Sequence, residues 1–238
     1  REFSRQAVDS AERSGEKEAA ATYFAMSALR EALFGNADEA RRRSALAMKD
    51  PAGHDVQYGA ALALAYAGDE RRAQTLATGL DHRFPEDTLA QFNYRPTLRA
   101  ELALSQGNAA EALDYLRAAA PYELGGSTYS GIPWTSLYPV YVRGEAYLAV
   151  HQGAEAAAEF QKILDHPGIV VNEPIGALAH LQLGRAYALE AQASRGADRD
   201  AARAKARAAY KDFLTLWKNA DPDIPVLKQA RAEYAKLK

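Results

Sequence analysis

Four times along this chain a tight turn is followed, a few residues on, by an alanine, and then by a proline. Gly35-Asn36 precedes Ala40, Gly68-Asp69 precedes Ala73, and Gly107-Asn108 precedes Ala112. Gln152-Gly153, a weaker form of the same turn, precedes Ala156, and the closing prolines are Pro51, Pro85, Pro121 and Pro167. The pattern reads as a helix, a short turn and a second helix, repeated. One such unit cannot bury its apolar face alone, so a chain built this way folds by stacking its units. The period drifts. Successive alanines lie 33, 39 and 44 residues apart, and a further 50 residues lead from Ala156 to Ala206. Two insertions account for most of the later drift: residues 121–139, rich in glycine, serine and aromatics, and part of residues 190–205. The second is expected to lengthen both helices of a fifth unit, residues 172–218, around Gly196.

A second repeated feature is a glycine inside a helix. Gly144 precedes Tyr147 in RGEAYLA, and Gly184 precedes Tyr187 in LGRAYAL. A helix-interior glycine costs roughly 0.8–1.0 kcal/mol relative to alanine, so something must offset it. Close approach of the first helix of a unit to the second does so, because any side chain at the contact would hold the two apart. Ala61 and Ala100 stand at the equivalent places in earlier units. The competing reading is a pair of tolerated surface glycines.

Composition agrees with thin, closely packed helices. Of the 238 residues, 48% are hydrophobic, with alanine dominant and only two tryptophans. No stretch alternates apolar and polar residues as a half-buried strand would. GIVVNEP, residues 168–174, comes nearest, but proline bounds it on both sides. The expected fold is therefore all-α, a single domain over residues 1–238. Residues 224–238 form a last helix whose Val226, Leu227, Ala230 and Tyr234 face inward and cap the open end of the stack. The absence of cysteine excludes disulfides and thiolate chemistry. A net charge of −2 argues against nucleic-acid binding by this region. The longest apolar run, residues 59–68, is about half a membrane span. The chain opens on Arg1, within a segment that already reads as helix, and is expected to be a piece of a longer protein.

The unit resembles the tetratricopeptide repeat, a helix–turn–helix of about 34 residues. The fourth unit carries the likeness best, in Gly144, Ala146, Tyr147, Ala156, Phe160 and Pro167. The fifth supplies Leu183, Gly184, Ala186, Tyr187, Ala206 and Tyr210. Longer stretches, among them REFSRQAVDSAER, YPVYVRGEAYLA and DPDIPVLKQARAEYAKL, are similar to the C-terminal repeat region of bacterial serine/threonine protein kinases. Similar tails follow DNA-binding domains in some bacterial regulators. The resemblance implies a right-handed α-solenoid of about five helix pairs that serves as a protein-interaction or sensory module of a signalling protein. It also implies a concave face lined by the first helices. A small-molecule-sensing role is the alternative. No catalytic residue carries over: the nearest echo of a kinase loop, DHRFPED at residues 81–87, lacks the catalytic aspartate. The region is expected not to be an enzyme and to need no cofactor.

The candidate residues are weighed one by one. Ser14 and Lys17 match the SxxK spacing of a penicillin-binding-type nucleophile, without its partner motifs; Ser14 is better read as a helix cap. The five histidines lack metal-ligand spacing, and His180 reads as a packing or groove residue. Arg199, Arg203, Arg207 and Lys211 form a basic stripe, a solvated face or a grip for an acidic partner. The aromatic insert, with Tyr129 and Trp134, either packs on its own repeats or acts as a lid over the groove. The expected partner is a protein or peptide on the concave face, lined by Tyr58, Tyr66, Tyr94, Tyr138, Tyr141, Glu145, His180 and Arg185.

Overall fold

The computed structural model describes residues 2–125 and 133–237. Among them there are thirteen α-helices and no strand. In chain order these are α1 (Glu2–Arg13), α2 (Lys17–Leu33), α3 (Ala37–Ala47), α4 (His54–Tyr66) and α5 (Glu70–Arg83). A π-helical turn, Ala90–Tyr94, leads into α6 (Arg95–Ser105), followed by α7 (Ala109–Leu116), α8 (Tyr138–Ala149) and α9 (Gly153–Asp165). The short α10 (Pro167–Val170), α11 (Pro174–Ala193), α12 (Gly196–Leu216) and α13 (Pro225–Ala235) complete the chain. The GIVVNEP segment is thus a helical turn and a loop.

Successive turns share one geometry. After α2, the amide of Asn36 donates to Glu31 O at 2.8 Å, and after α6 the amide of Asn108 donates to Ala103 O at 2.8 Å. Such a turn needs one residue in the left-handed conformation, supplied by Gly35 (φ +87°) and Gly107 (φ +80°). The fourth turn is the informative case. Gln152 N donates to Tyr147 O in the same way, and the left-handed residue is His151, with φ +59°. The glycine of Gln152-Gly153 comes two positions too late and instead opens α9.

Packing follows the order of the chain. Each of α2, α4, α6, α8 and α11 lies against its own second helix (α3, α5, α7, α9 and α12) and against the next helix of its own series. One register recurs. A small residue on the first helix stands twelve positions before a buried alanine on the second: Ala28 and Ala40, Ala61 and Ala73, Ala100 and Ala112, Gly144 and Ala156. From Gly184 to Ala206 the separation is 22, because the last pair is longer on both sides of the turn at Gly196. The glycines are contacts, as their spacing implies. A β-carbon on Gly144 would meet Phe160, and one on Gly184 would meet Tyr210 at 2.8 Å.

Two expectations need correction. Ser14 does not cap α2: its first turn is preceded by Glu16, with no side-chain cap bond. Nor does α13 cap an open end. Its apolar face is buried as expected, through Val226, Leu227 and Ala230, but its start rests on the first pair. Val226 N donates to Phe34 O at 3.2 Å, Pro225 packs over Gly35, and Trp217 meets the Phe34 ring edge-on at 4.7 Å. The two ends of the stack touch. None of the helices is long and apolar enough to cross a membrane among the described residues.

Candidate functional site

The inward side of the first helices divides into an aromatic half and a polar half. In the aromatic half, Tyr58 of α4 stacks on Tyr94 with ring centres 3.9 Å apart. Trp134 lies against bare Gly59, where a β-carbon would stand 2.6 Å from Cη2 of the indole and closer still to Cζ2. Its Nε1 donates to Asp55 O at 2.9 Å. The Tyr94 hydroxyl donates to Asp55 Oδ1 at 2.5 Å and the Tyr138 hydroxyl to Glu173 Oε2 at 2.7 Å. Burial pushes the Glu173 carboxyl up to about 7, against the pull of that hydrogen bond and of Arg30. His54 is half-buried against Phe84 and Tyr94.

The insert that delivers Trp134 is held at its near end by ions. Arg143 of α8 bonds Glu123 Oε2 at 2.8 Å and Glu159 Oε2 at 2.7 Å, while Lys162 bonds Glu123 Oε1 at 2.8 Å. Glu123 is 4% exposed, and these two cations are its ion-pair partners. The arrangement anchors the start of the insert to α8 and α9, and Asn93 Nδ2, donating to Ser136 O at 3.0 Å, anchors its end.

The polar half is a ladder of side chains running from α4 to α13. Tyr66 donates to Glu145 Oε2 at 2.7 Å, and Gln182 Nε2 donates to Glu145 Oε1 at 2.9 Å and to the Tyr141 hydroxyl at 3.1 Å. Arg185 bonds Gln182 Oε1 and holds both oxygens of Glu233 at 2.9 Å, and Tyr210 also donates to Glu233. Glu101 of α6 faces Tyr66 and Glu145 from the remaining side. Burial raises the Glu145 carboxyl to about 7, with Tyr66, Arg185 and Gln182 opposing. Burial, and then the charge of Glu145, holds Glu101 well above the usual carboxylate range.

The structure links Tyr58 with Tyr94, and Tyr66, Tyr141, Glu145 and Arg185 through Gln182, while His180 faces Asp212 of α12; it does not leave these residues equally accessible. Tyr58, Tyr94, Tyr138 and Tyr141 are at most 2% exposed, so they are walls of the site and offer no free contact surface. Tyr66, Glu145, His180 and Arg185 keep part of their surface. Burial lowers His180 below the ordinary imidazole value, with Asp212 opposing. Trp134 is seated and buried; Tyr129 lies outside the described residues. The basic stripe on α12 is fully solvated, Arg203 reaching only Leu237 O. No group of three or more potential metal ligands occurs among the described residues. Sequence reasoning missed Glu101, Gln182 and Glu233. The available signal was positional: Glu101 follows Ala100 as Glu145 follows Gly144, so both acids sit beside the small contact residue of their helices. Comparison with protein-family models and with curated proteins finds no match for this chain.

Proposed function

We propose that this chain is a tetratricopeptide-like superhelix of about five helix pairs that binds a protein or peptide through the inward side of its first helices. In this reading it is the interaction or sensory part of a larger bacterial signalling protein of the serine/threonine kinase type. The observation that carries the binding role is the polar ladder Tyr66–Glu145–Gln182–Arg185. Three helices contribute to it, and all of it but Gln182 keeps partial exposure in an otherwise alanine-packed interior. A chain that only needed to fold would be better served by apolar residues there, because buried ionic groups often contribute little net stability. With the four tyrosines buried, the contact residues reduce to Tyr66, Glu145, His180 and Arg185.

The test is selection of binding peptides from a random library on the immobilised chain, followed by hydrogen exchange on the complex. Protection should concentrate on α8 and α11. Glu145→Ala should weaken the selected peptides, whereas Arg42→Ala, on the outer side of α3 and paired with Glu39, should not. Protection of α3 and α12 instead would move the binding face to the outside.

A further inference from the structure

A cavity of about 580 Å³ opens beside α6, where α5 and α7 both pack on it, and none of its residues belongs to the polar ladder. Its volume lies within the range of about 300–1,000 Å³ usual for small-molecule sites. Phe92, Pro96 and Tyr115 give it apolar walls. Arg95 and Arg99, four residues apart on α6, bring two guanidinium groups to the same space.

These two cations are short of anions. Arg99 Nη2 donates to Asp81 Oδ2 at 2.9 Å, and Arg95 Nε stands 3.4 Å from Asp81 Oδ1. One carboxylate therefore serves both. Arg95 Nη1 donates to Gln91 Oε1 at 2.8 Å, and Gln91 Nε2 donates to Phe84 O at 3.1 Å, so an amide ties Arg95 to the end of α5. Cζ of Arg99 stands 5.9 Å from the centre of the Tyr115 ring on α7. Both guanidinium groups are thus held in place from neighbouring elements, yet Arg95 Nη2 and Arg99 Nε and Nη1 donate to no described residue. Each side chain keeps more than a third of its surface.

The backbone before α6 adds a second observation. In the π-helical turn Ala90–Tyr94, Asn93 and Tyr94 are buried while Gln91 and Phe92 reach the cavity. Such turns are rare and recur at functional sites. Phe92 is 39% exposed and meets the equally exposed Tyr122 with ring centres 4.8 Å apart, which leaves aromatic surface beside the two cations.

We propose that this cavity binds a small organic carboxylate with a flat apolar body, the carboxylate on Arg95 and Arg99 and the body against Phe92, Pro96 and Tyr115. Planar guanidinium forks match carboxylate oxygens. Arg95 and Arg99 against Asp81 leave one positive charge, which a monoanion balances. Glu86 also lines the cavity; it is exposed, makes no ion pair among the described residues, and opposes any second negative charge. A phosphate dianion therefore fits worse than a carboxylate. The site is separate from the inward face proposed to hold peptides, and neither reading depends on the other.

Titration calorimetry on the full chain at pH 7 tests the site with cinnamate, its neutral counterpart cinnamamide, inorganic phosphate, and an end-blocked pentapeptide with a central glutamate. Cinnamate should bind saturably, one molecule per chain. Cinnamamide should bind about tenfold more weakly, because charge-assisted hydrogen bonds are the stronger ones. Arg99→Gln should bring cinnamate down to the affinity of the amide. Glu86→Gln removes an exposed charge that has no ion-pair partner, so the melting temperature should hold while cinnamate tightens about two- to fivefold. Equal binding of acid and amide, or a cinnamate affinity indifferent to both substitutions, overturns the role given to the arginines. Tighter binding of phosphate overturns the carboxylate, and tighter binding of the pentapeptide overturns the small ligand. Failure of cinnamate to bind overturns the site as a whole.

Discussion

A β-carbon on Gly144 would lie 2.6 Å from Cζ of Phe160 and 2.7 Å from Cε1. These are closer than carbon atoms can pack, and Phe160 is fully buried, so its ring cannot swing away. Alanine, which would normally stabilise a helix interior, should here destabilise the fold by about 1–3 kcal/mol, the usual range for overpacking. The third pair shows the remedy. There Ala100 occupies the glycine's place and Leu116 the ring's, in one packed group. Gly144→Ala combined with Phe160→Leu should therefore recover much of the loss in chemical denaturation. Strict additivity of the two substitutions would mean that the residues do not meet.

Trp134 and Gly59 make the same kind of pair over a far longer range. Gly59→Ala should expel the indole from its seat beside Tyr58. In a Trp217→Phe background, Trp134 emission should shift to the red and become open to iodide quenching. The helical circular dichroism should be retained, since the described residues of the insert add no helix before Tyr138. An unchanged spectrum in the Gly59→Ala variant would place Trp134 elsewhere.

These two glycines show how far the sequence could be read. Gly144 announced itself because its partner lies sixteen residues away in the same unit, and because Gly184 repeats the arrangement. Gly59 sat in an apolar run and looked like composition; its partner is 75 residues on, across an irregular insert. Local spacing encodes contacts within a unit and between neighbouring units. The meeting of Phe34 with Trp217 depends on the summed curvature of all the pairs, which no single motif records. The accessibility of the inward tyrosines was misjudged for the same reason. Their helix and face were legible, but the cover was not: it comes from Trp134 and its neighbours in the insert and from the packing of successive pairs.

Glu173 gives the fold a pH dependence. An unfolded glutamate titrates near 4.3, and in the fold this carboxyl titrates at about 7 because it is buried. Between those values the folded state holds more protons than the unfolded state, so stability falls as pH rises. The contribution is complete below about pH 4.3 and is lost as pH passes about 7. Glu173→Gln keeps a partner for Tyr138 and cannot ionise. It should flatten this fall by roughly 1–3 kcal/mol between pH 5 and 8, leaving the part due to Glu145. Urea midpoints measured across that range decide the matter, and an equal slope in both proteins would remove Glu173 from the account.

The contact between the ends of the chain can be isolated with two further glycines. Gly35 and Gly107 end equivalent helices with nearly the same backbone, φ +87° and +80°. Alanine at either position carries the same left-handed strain, about 1 kcal/mol. Their surroundings differ. Nothing lies within 4 Å of a β-carbon on Gly107, whereas on Gly35 it would stand 2.9 Å from Cβ of Pro225. Pro225 is fixed in place by the neighbouring bond from Val226 N to Phe34 O. Gly35→Ala should therefore cost more than Gly107→Ala, and the excess measures the junction alone. Hydrogen exchange gives a second reading: in Gly35→Ala, amides of α13 should exchange faster together with those at the end of α2, while in Gly107→Ala both should keep their protection. If the two variants lose equal stability and α13 stays protected in each, then the ends do not hold one another, and the inward face is open along its whole length.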